Sequence, residues 1–483
     1  MDQINLLNQN YTLILVSILS IIFASIGIIY SKKYKGLNNY LIANGQVGIL
    51  SLTTSLVSSA LGAWILFGPA SAATWGGIGA VIGYSLGTAF PMVAFIFLGT
   101  KLRKIFPKGK SLTEFIKKKF GKNLFKLVLT LTIFYMFIFL CAELTAVAML
   151  IKYISGTPLW ITATIVIITT LIYTLYGGLR ASIFTDNIQF VIIIFLFLIS
   201  TFYILSFSSD EFSFASIKKN SPHLLSVKYI PNITAGFTFF IAVSATNLFH
   251  QGNWQRVFAA KNNEVLKKSL LISFFIIIPI VFFMGFSGLV AISQNSNINP
   301  DLAYFSVLLK KQTIAISLIV IVLAVSLTIS TVDTLINAIS SLIILDGKDI
   351  FKFNNKSNYL NLSRYFIVGL SLISLAIASK GFSILYLFLL ADLLCCAAVF
   401  TVFYGFYNKK LSEKGSIISI LFGLFLGLLF FPSFDFTKSI LVGIILPYNF
   451  FPSIISSSLL FWSFLVATLS PVIVIMSYDS LKR

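Results

Sequence analysis

Between residues 321 and 346 the chain reads IVLAVSLTISTVDTLINAISSLIILD. Inside this apolar run Ser326, Ser330, Asp333, Asn337 and Ser340 recur at steps of four, three, four and three. That spacing sets them on one face of a helix, a strip about 20 Å long, flanked by Thr331 and Thr334. A carboxylate in the middle of a membrane helix is costly, so this face belongs toward a bundle interior, away from lipid. One carboxylate among hydroxyls is hard-oxygen chemistry, better suited to a small cation than to a soft metal. The competing reading is structural, with hydroxyls bonded back to their own helix and Asp333 paired with a Lys or Arg elsewhere.

Two further stretches carry small and polar residues at membrane depth. Residues 49–71, ILSLTTSLVSSALGAWILFGPAS, centre on Ser58–Ala63, and Gly68-Pro69 follows one turn later. Residues 232–250, NITAGFTFFIAVSATNLFH, hold Ser244, Ala245, Thr246 and Asn247. Such residues permit an unwound helix whose freed amides and carbonyls bind ions and solutes. They equally permit close helix packing. Glu143 and Asp392 are intramembrane carboxylates, each either a solute contact or a structural hydrogen-bonding group. Trp64, Phe67, Phe239 and Phe240 lie on or beside the two stretches and are candidates to sandwich a solute. Aromatics make up 15% of the chain, so packing is the alternative for each. His250 reads as an anchor at the membrane edge. Arg180 and Arg256 read as cytoplasmic anchors, with Asp186 or Asp346 as partners.

The elements that would position these residues follow from composition. Of 483 residues 58% are hydrophobic and 10% charged, with mean hydropathy +0.96, which excludes an ordinary soluble domain. A polytopic all-α membrane protein is expected, one transmembrane domain over 1–483. Thirteen spans are predicted, near 11–30, 49–71, 76–99, 125–151, 159–178, 187–206, 232–250, 269–293, 312–345, 365–379, 382–406, 415–431 and 455–477. With the N-terminus outside, 27 of the 35 lysines and arginines fall in cytoplasmic segments, as the positive-inside rule requires for N-out, C-in. The net charge of +20 is therefore an orientation signal with anionic lipid as its neighbour, and nucleic acid is excluded as a partner. Within the basic loop 101–122 an amphipathic helix on the inner leaflet is expected. The outer loop 207–231 is expected to hold a short helix, and 436–446 a re-entrant or surface turn. Cys141, Cys395 and Cys396 lie in apolar segments and read as free thiols. The first apolar run lacks the flanks of a cleavable signal.

Four strings then resemble the sodium:solute symporter family, which includes bacterial proline, pantothenate, sialic acid, glucose and galactose carriers. They are NYLIANGQ at 39–46, GGLRASIFTDNIQ at 177–189, QGNWQRVFAA at 251–260 and ISTVDTLINAISSLIILD at 329–346. The resemblance spans about 35–435. It implies a leucine-transporter-type fold of two inverted five-helix repeats, spans 2–6 (about 49–206) and 7–11 (about 232–406). Spans 2 and 7 would be broken, and spans 1, 12 and 13 peripheral. It implies a sodium site made by the carbonyls of Ser58, Leu61 and Leu327 and the hydroxyls of Ser330 and Thr331. A second cation or proton site would use Asp186, Ser330, Asp333 and Thr334. Asp333 stands where the family usually has a hydroxyl, which would strengthen that site or convert it to proton coupling. Proline carriers have an Asp where this chain has Ala60, which argues against proline.

The sequence thus points to a sodium-coupled symporter of the bacterial inner membrane, multi-pass, and not to an enzyme. It would import a small polar solute bearing an amine or amide, amino acid-like, contacted by Trp64, Phe67, Glu143, Phe240, Ser244 and Asn247. The expected partners are solute, sodium and anionic lipid, with the chain a monomer or loose oligomer. The alternatives are a proton-coupled carrier of urea, polyamine or organic acid on the same fold, and a transporter-like sensor. A sensor would act through a partner, since no signalling domain follows the last span.

Overall fold

The computed structural model describes residues 6–33, 36–207, 210–350, 356–408, 411–434, 436, 438–439, 441 and 453–481. Among these, eleven helices are long and apolar enough to cross a membrane. The helices are α1 Gln9–Ser31, α2 Leu37–Ile42, α3 Ile49–Ala60, α4 Gly68–Ile105, α5 Leu112–Phe120, α6 Lys122–Ser155, α7 Leu159–Phe207 and α8 Phe214–Asn220. They continue with α9 Ile230–Phe249, α10 Gln251–Ala259, α11 Asn263–Gln294, α12 Ala303–Leu308, α13 Ile314–Ile350, α14 Lys356–Ala378, α15 Ile384–Tyr404, α16 Glu413–Phe430 and α17 Leu459–Leu481.

Eleven helices and thirteen predicted spans agree once two kinks are counted. The chain leaves helical geometry inside α4 at Gly77 (φ 57°) and inside α7 at Gly178 (φ 58°). Only glycine adopts such backbone angles without strain, so α7 holds two spans, and α4 holds one span and the end of another. The part of α4 before Gly77 completes the span that α3 begins. α3 itself stops at Ala60, and Leu61 and Gly62 are extended. A single 3-10 turn, Ala63–Leu66, and then Pro69 in the first turn of α4 restart the helix.

The second break lies elsewhere than the sequence suggests. α9 runs unbroken through Ser244–Asn247 and ends at Phe249, and His250 is the extended residue before α10. Thr246 and Asn247 bond back to the carbonyls of Ala242 and Val243, while Ser244 donates to Gly87 O across the contact with α4. The small and polar residues there serve helix packing. His250 is correspondingly buried inside the protein and is no edge anchor. α10, expected in a cytoplasmic loop, is buried along its whole length.

Two groups of helices emerge. In one, α4 packs on α9 and α11, and α3 on α11. In the other, α13 packs on α6, α7 and α14. Outer faces carry exposed large side chains such as Ile18, Phe202, Phe275 and Leu372, as a lipid-facing surface requires. The face of α13 bearing Ser326, Ser330, Asp333, Asn337 and Ser340 is buried at all five positions. α5 forms behind a Ser111 cap, but its apolar side packs on α6 and on Phe406, 4.4 Å between the Phe115 and Phe406 rings. It is covered by protein and not free for a leaflet. The outer loop holds α8 as expected. The 436–446 stretch lies mostly outside the described residues.

Candidate cation and solute sites

The break after α3 meets the middle of α13. Ser58 Oγ lies 2.9 Å from Ser330 Oγ. Ser330 gives its proton to Asp186 Oδ1 at 2.7 Å, so Ser58 is the donor in that pair and Ser330 presents a lone pair toward the break. Thr331 likewise donates backward to Leu327 O, 3.2 Å, and keeps its lone pairs free. Helix α3 ends within two residues of Ser58, so carbonyls of its last turn lack the i+4 amide of a continuing helix. The sequence-proposed sodium ligand Ser58 thus meets Ser330 of α13, with Leu327 and Thr331 within one turn of Ser330 and Leu61 in the extended stretch after α3. Neutral oxygens of this kind fit a monovalent cation that must also leave.

Glu143 of α6 holds the break open. Its Oε2 accepts from the amide of Ala63 at 2.9 Å, and the amide of Trp64 also bonds the carboxylate. These amides lost their helical acceptors when α3 ended. Its Oε1 is buried without a hydrogen-bond partner among the described residues. A Cβ placed on Gly62 would collide with that oxygen and reach 2.7 Å from Thr331 Oγ1. Gly62 is therefore the residue that lets Glu143 and Thr331 approach the same point. Of the two sequence readings for Glu143, its geometry matches the structural one.

Behind Ser330 lies a charged network that is fully inside the protein. Asp186 Oδ2 accepts from Arg256 Nη2 and from Ser55 Oγ, both at 2.6 Å, and neither charged side chain is exposed. Arg256 also donates to Ser55 Oγ, Gly252 O and Thr334 Oγ1. Its pairing with Asp186 is one of the partners the sequence offered, but Arg256 is a buried member of the site and not a cytoplasmic anchor. Arg180 does act as an anchor, on Asn39 Oδ1 and Ala43 O. Asp333 accepts from Tyr173 OH and Ser182 Oγ, both 2.6 Å, and from Thr185 Oγ1 at 3.2 Å. It has hydroxyl donors and no guanidinium of its own. The four residues expected at a second cation site, Asp186, Ser330, Asp333 and Thr334, are brought together with a protein cation among them.

Sequence reasoning missed Ser55, Tyr173, Ser182 and Thr185 as members of this network. Ser55 was findable, three residues before Ser58 on the same helix face. Tyr173 lies thirteen residues before Asp186 on the other side of a kink, and nothing local marks it.

The proposed solute contacts divide. Trp64 stacks on Tyr84 (5.5 Å between ring centroids) and meets Phe388 edge-on (6.2 Å). Phe67 turns to Phe305 of α12 instead. Phe240 lies against the exposed Phe90 at the periphery, whereas its neighbour Phe239 stacks on Tyr84 at 4.8 Å. Asp392 is buried next to Thr246. Cys141, Cys395 and Cys396 are free and buried.

A helical chain whose broken helix meets a hydroxyl-bearing face of α13 has the architecture of the leucine-transporter-type carriers. The solved structures agree. A Na+-coupled sialic acid symporter in a substrate-bound outward-open state superposes with TM-score 0.73 at 17% identity, covering 99% of this chain and 98% of its own. Mhp1, a nucleobase-cation-symport-1 transporter, gives TM-score 0.59 at 12% identity, covering 91% and 94%. Residues 40–423 match the sodium:solute symporter family, and the chain belongs to that family. It is a transporter and not an enzyme, and sodium is the coupling ion its family implies. Among named relatives, a spermidine transporter of Candida albicans is 27% identical over 383 residues, 78% of this chain and 71% of the relative. The mouse sodium/myo-inositol cotransporter 2 is 24% identical over 456 residues, 82% and 66%. The chain thus spans about two thirds of these relatives' length.

Proposed function

We propose that this protein couples inward sodium movement to import of a small polar solute bearing an amine or amide, with the chain oriented N-out and C-in across a bacterial inner membrane. The Ser58–Ser330 contact across the α3 break carries the reading. It joins the two helix groups through side chains whose lone pairs are directed at one gap. A cation held there by Ser58, Leu61, Leu327, Ser330 and Thr331 would draw the groups together and order the unwound segment. That is coupling through differential affinity for two states. The two five-helix repeats are taken as 49–206 and 232–406, and anionic lipid is the expected neighbour of the basic inner face.

The solute class is supported by the carboxylate Asp392 and the rings of Trp64, Tyr84 and Phe388 around the break. The spermidine-transporting relative is consistent with an amine. Asp186, Asp333 and Thr334 form the second, inner ion position. A proton at Asp333 is a second reading favoured by one observation: two buried carboxylates face one guanidinium, and Asp186 takes it.

The test is uptake into proteoliposomes against amino acids, spermidine, urea and myo-inositol, wild type beside Ser330→Ala. Loss of one ligand and of its tie to Asp186 is expected to raise the sodium needed for half-maximal uptake at least about tenfold. Uptake indifferent to sodium in the wild type would overturn the coupling. Uptake unchanged in Ser330→Ala would overturn the site. Uptake driven by a pH gradient without sodium, and lost in Asp333→Asn, would establish the second reading.

A further inference from the structure

On the face that the proposed orientation turns outward, a cavity of about 540 Å³ opens between the start of α9, the turn before α12, the start of α15 and the segment leading to α17. Among the described lining residues Asp301 is the one carboxylate, and none is a lysine or arginine. Ser71 donates to Asp301 Oδ1 at 3.3 Å, Ser383 bonds the same carboxyl, and among the described residues no cation pairs with it. Around it stand Trp75, Tyr229, Phe434, Phe436 and Phe461. A partly buried anion inside an aromatic wall is unbalanced until a cation arrives.

The wall continues inward. Trp75 meets Phe239 at 5.7 Å between centroids, Phe239 meets Tyr84 at 4.8 Å, and Tyr84 meets Trp64 at 5.5 Å. At the inner end of this row lies Asp392, near enough for its charge to act on Tyr84. Neither Asp301 nor Asp392 has an ion-pair partner among the described residues. Ring faces attract organic cations, and most strongly where water is excluded. Trp75 and Tyr229 supply rings to the cavity itself, where a neutral sugar would gain little from them. Phe239, Tyr84 and Trp64 are buried and stacked on one another, and form the packed backing behind Trp75.

We infer that the Asp301 cavity is an outer binding site for organic ammonium groups, held by the Asp301 carboxylate among the rings of Trp75 and Tyr229. The inference deepens the amine reading and rests on it for what is finally transported, but binding at the cavity needs neither sodium nor transport.

The experiment is titration calorimetry of the full chain in nanodiscs without sodium. The probes are choline and its uncharged isostere 3,3-dimethyl-1-butanol. Choline is expected to bind at least about tenfold more tightly, since the two share shape and differ in charge. Asp301→Asn should remove that preference, and Trp75→Leu should weaken choline severalfold while leaving the isostere less affected. Sodium-induced thermal stabilisation, read on the same variants, should stay at the wild-type value and reports that they fold. Equal binding of the two probes, or choline binding unchanged in Asp301→Asn, overturns the inference. Choline binding that survives while sodium-driven amine uptake fails would instead overturn the amine reading of transport and leave this site standing.

Discussion

Asp186 and Asp301 are handled in opposite ways by the same chain. Asp186 lies where no water reaches, and the protein closes its charge with Arg256 at 2.6 Å and with two hydroxyls. Asp301 stands beside a cavity, held by two serines and surrounded by rings, with its charge left open. A buried carboxylate without a counter-ion costs several kcal/mol, which is why the inner one carries its cation within the chain. A carboxylate at a cavity mouth is partly hydrated and can wait for a mobile cation. The difference separates a carboxylate whose charge the chain itself satisfies from one whose charge the described residues leave open. Asp333 stands between them, buried like Asp186 but supplied only with hydroxyl donors.

The largest effect that would break this contrast is at Arg256. Arg256→Met strands Asp186 beside Asp333 and is expected to cost about 3–5 kcal/mol of stability, seen as a lower melting temperature in detergent. Adding Asp186→Asn to the same chain should recover most of it. A single mutant melting like wild type would mean that the pair does not hold the inner region together. Gly62→Ala comes next. Its methyl would strike Glu143 Oε1 and crowd Thr331 Oγ1, at about 1–3 kcal/mol for overpacking. Sodium-dependent uptake should fall at least about tenfold with the protein still inserted. Full activity would show that the close approach at the break is not needed.

The outer carboxylate gives a pH test. Partial burial raises the Asp301 carboxyl above its ordinary value, and the bonds from Ser71 and Ser383 hold that rise back. The anion is the form that attracts ammonium, so choline binding is present above the raised value and lost as pH falls through it. The decline should begin above the usual carboxylate range near about 4 and approach about tenfold per pH unit below the midpoint. The neighbouring lining residues Asn299, Pro300, Ser71 and Ser383 carry no carboxyl or amine, so Asp301→Asn should flatten the curve. A fall at an ordinary carboxylate pH would place Asp301 in open water. The smallest effect calibrates the rest. Glu211 and Lys310 form an exposed pair at 2.6 Å, with their side chains 42% and 48% exposed, and Glu211→Gln should change stability by under about 1 kcal/mol. A larger loss would mean that exposed pairs matter here as much as Asp186–Arg256.

Much of this was open to sequence reading. The face of α13 was legible because helical periodicity is local, and a hydroxyl every three or four residues in an apolar run has few other meanings. The break after Ala60 was legible from Ser58–Ala63 followed by Gly68-Pro69. The break at His250 was not, since Ser244–Asn247 carries the same small and polar signal and the structure uses it for packing on α4. The residues proposed for the ion site, Ser58, Ser330 and Thr331, came from motif resemblance, and the fold sets Ser58 directly against Ser330.

What the sequence by itself determined is what depends on neighbours along the chain: the number of spans, the buried face of α13 and the family. Hydropathy, periodicity and motif order are properties of short windows, and the bilayer enforces them. The tertiary structure alone decided which cation answers Asp186, that Glu143 caps the amides freed at Ala63 and Trp64, and that Phe239 rather than Phe240 joins the aromatic row. Each depends on groups that are far apart in sequence, or on the rotation of a helix about its axis. Packing of the whole bundle sets these, because a charge or an orphaned amide inside a membrane protein must be met by whichever helix stands opposite.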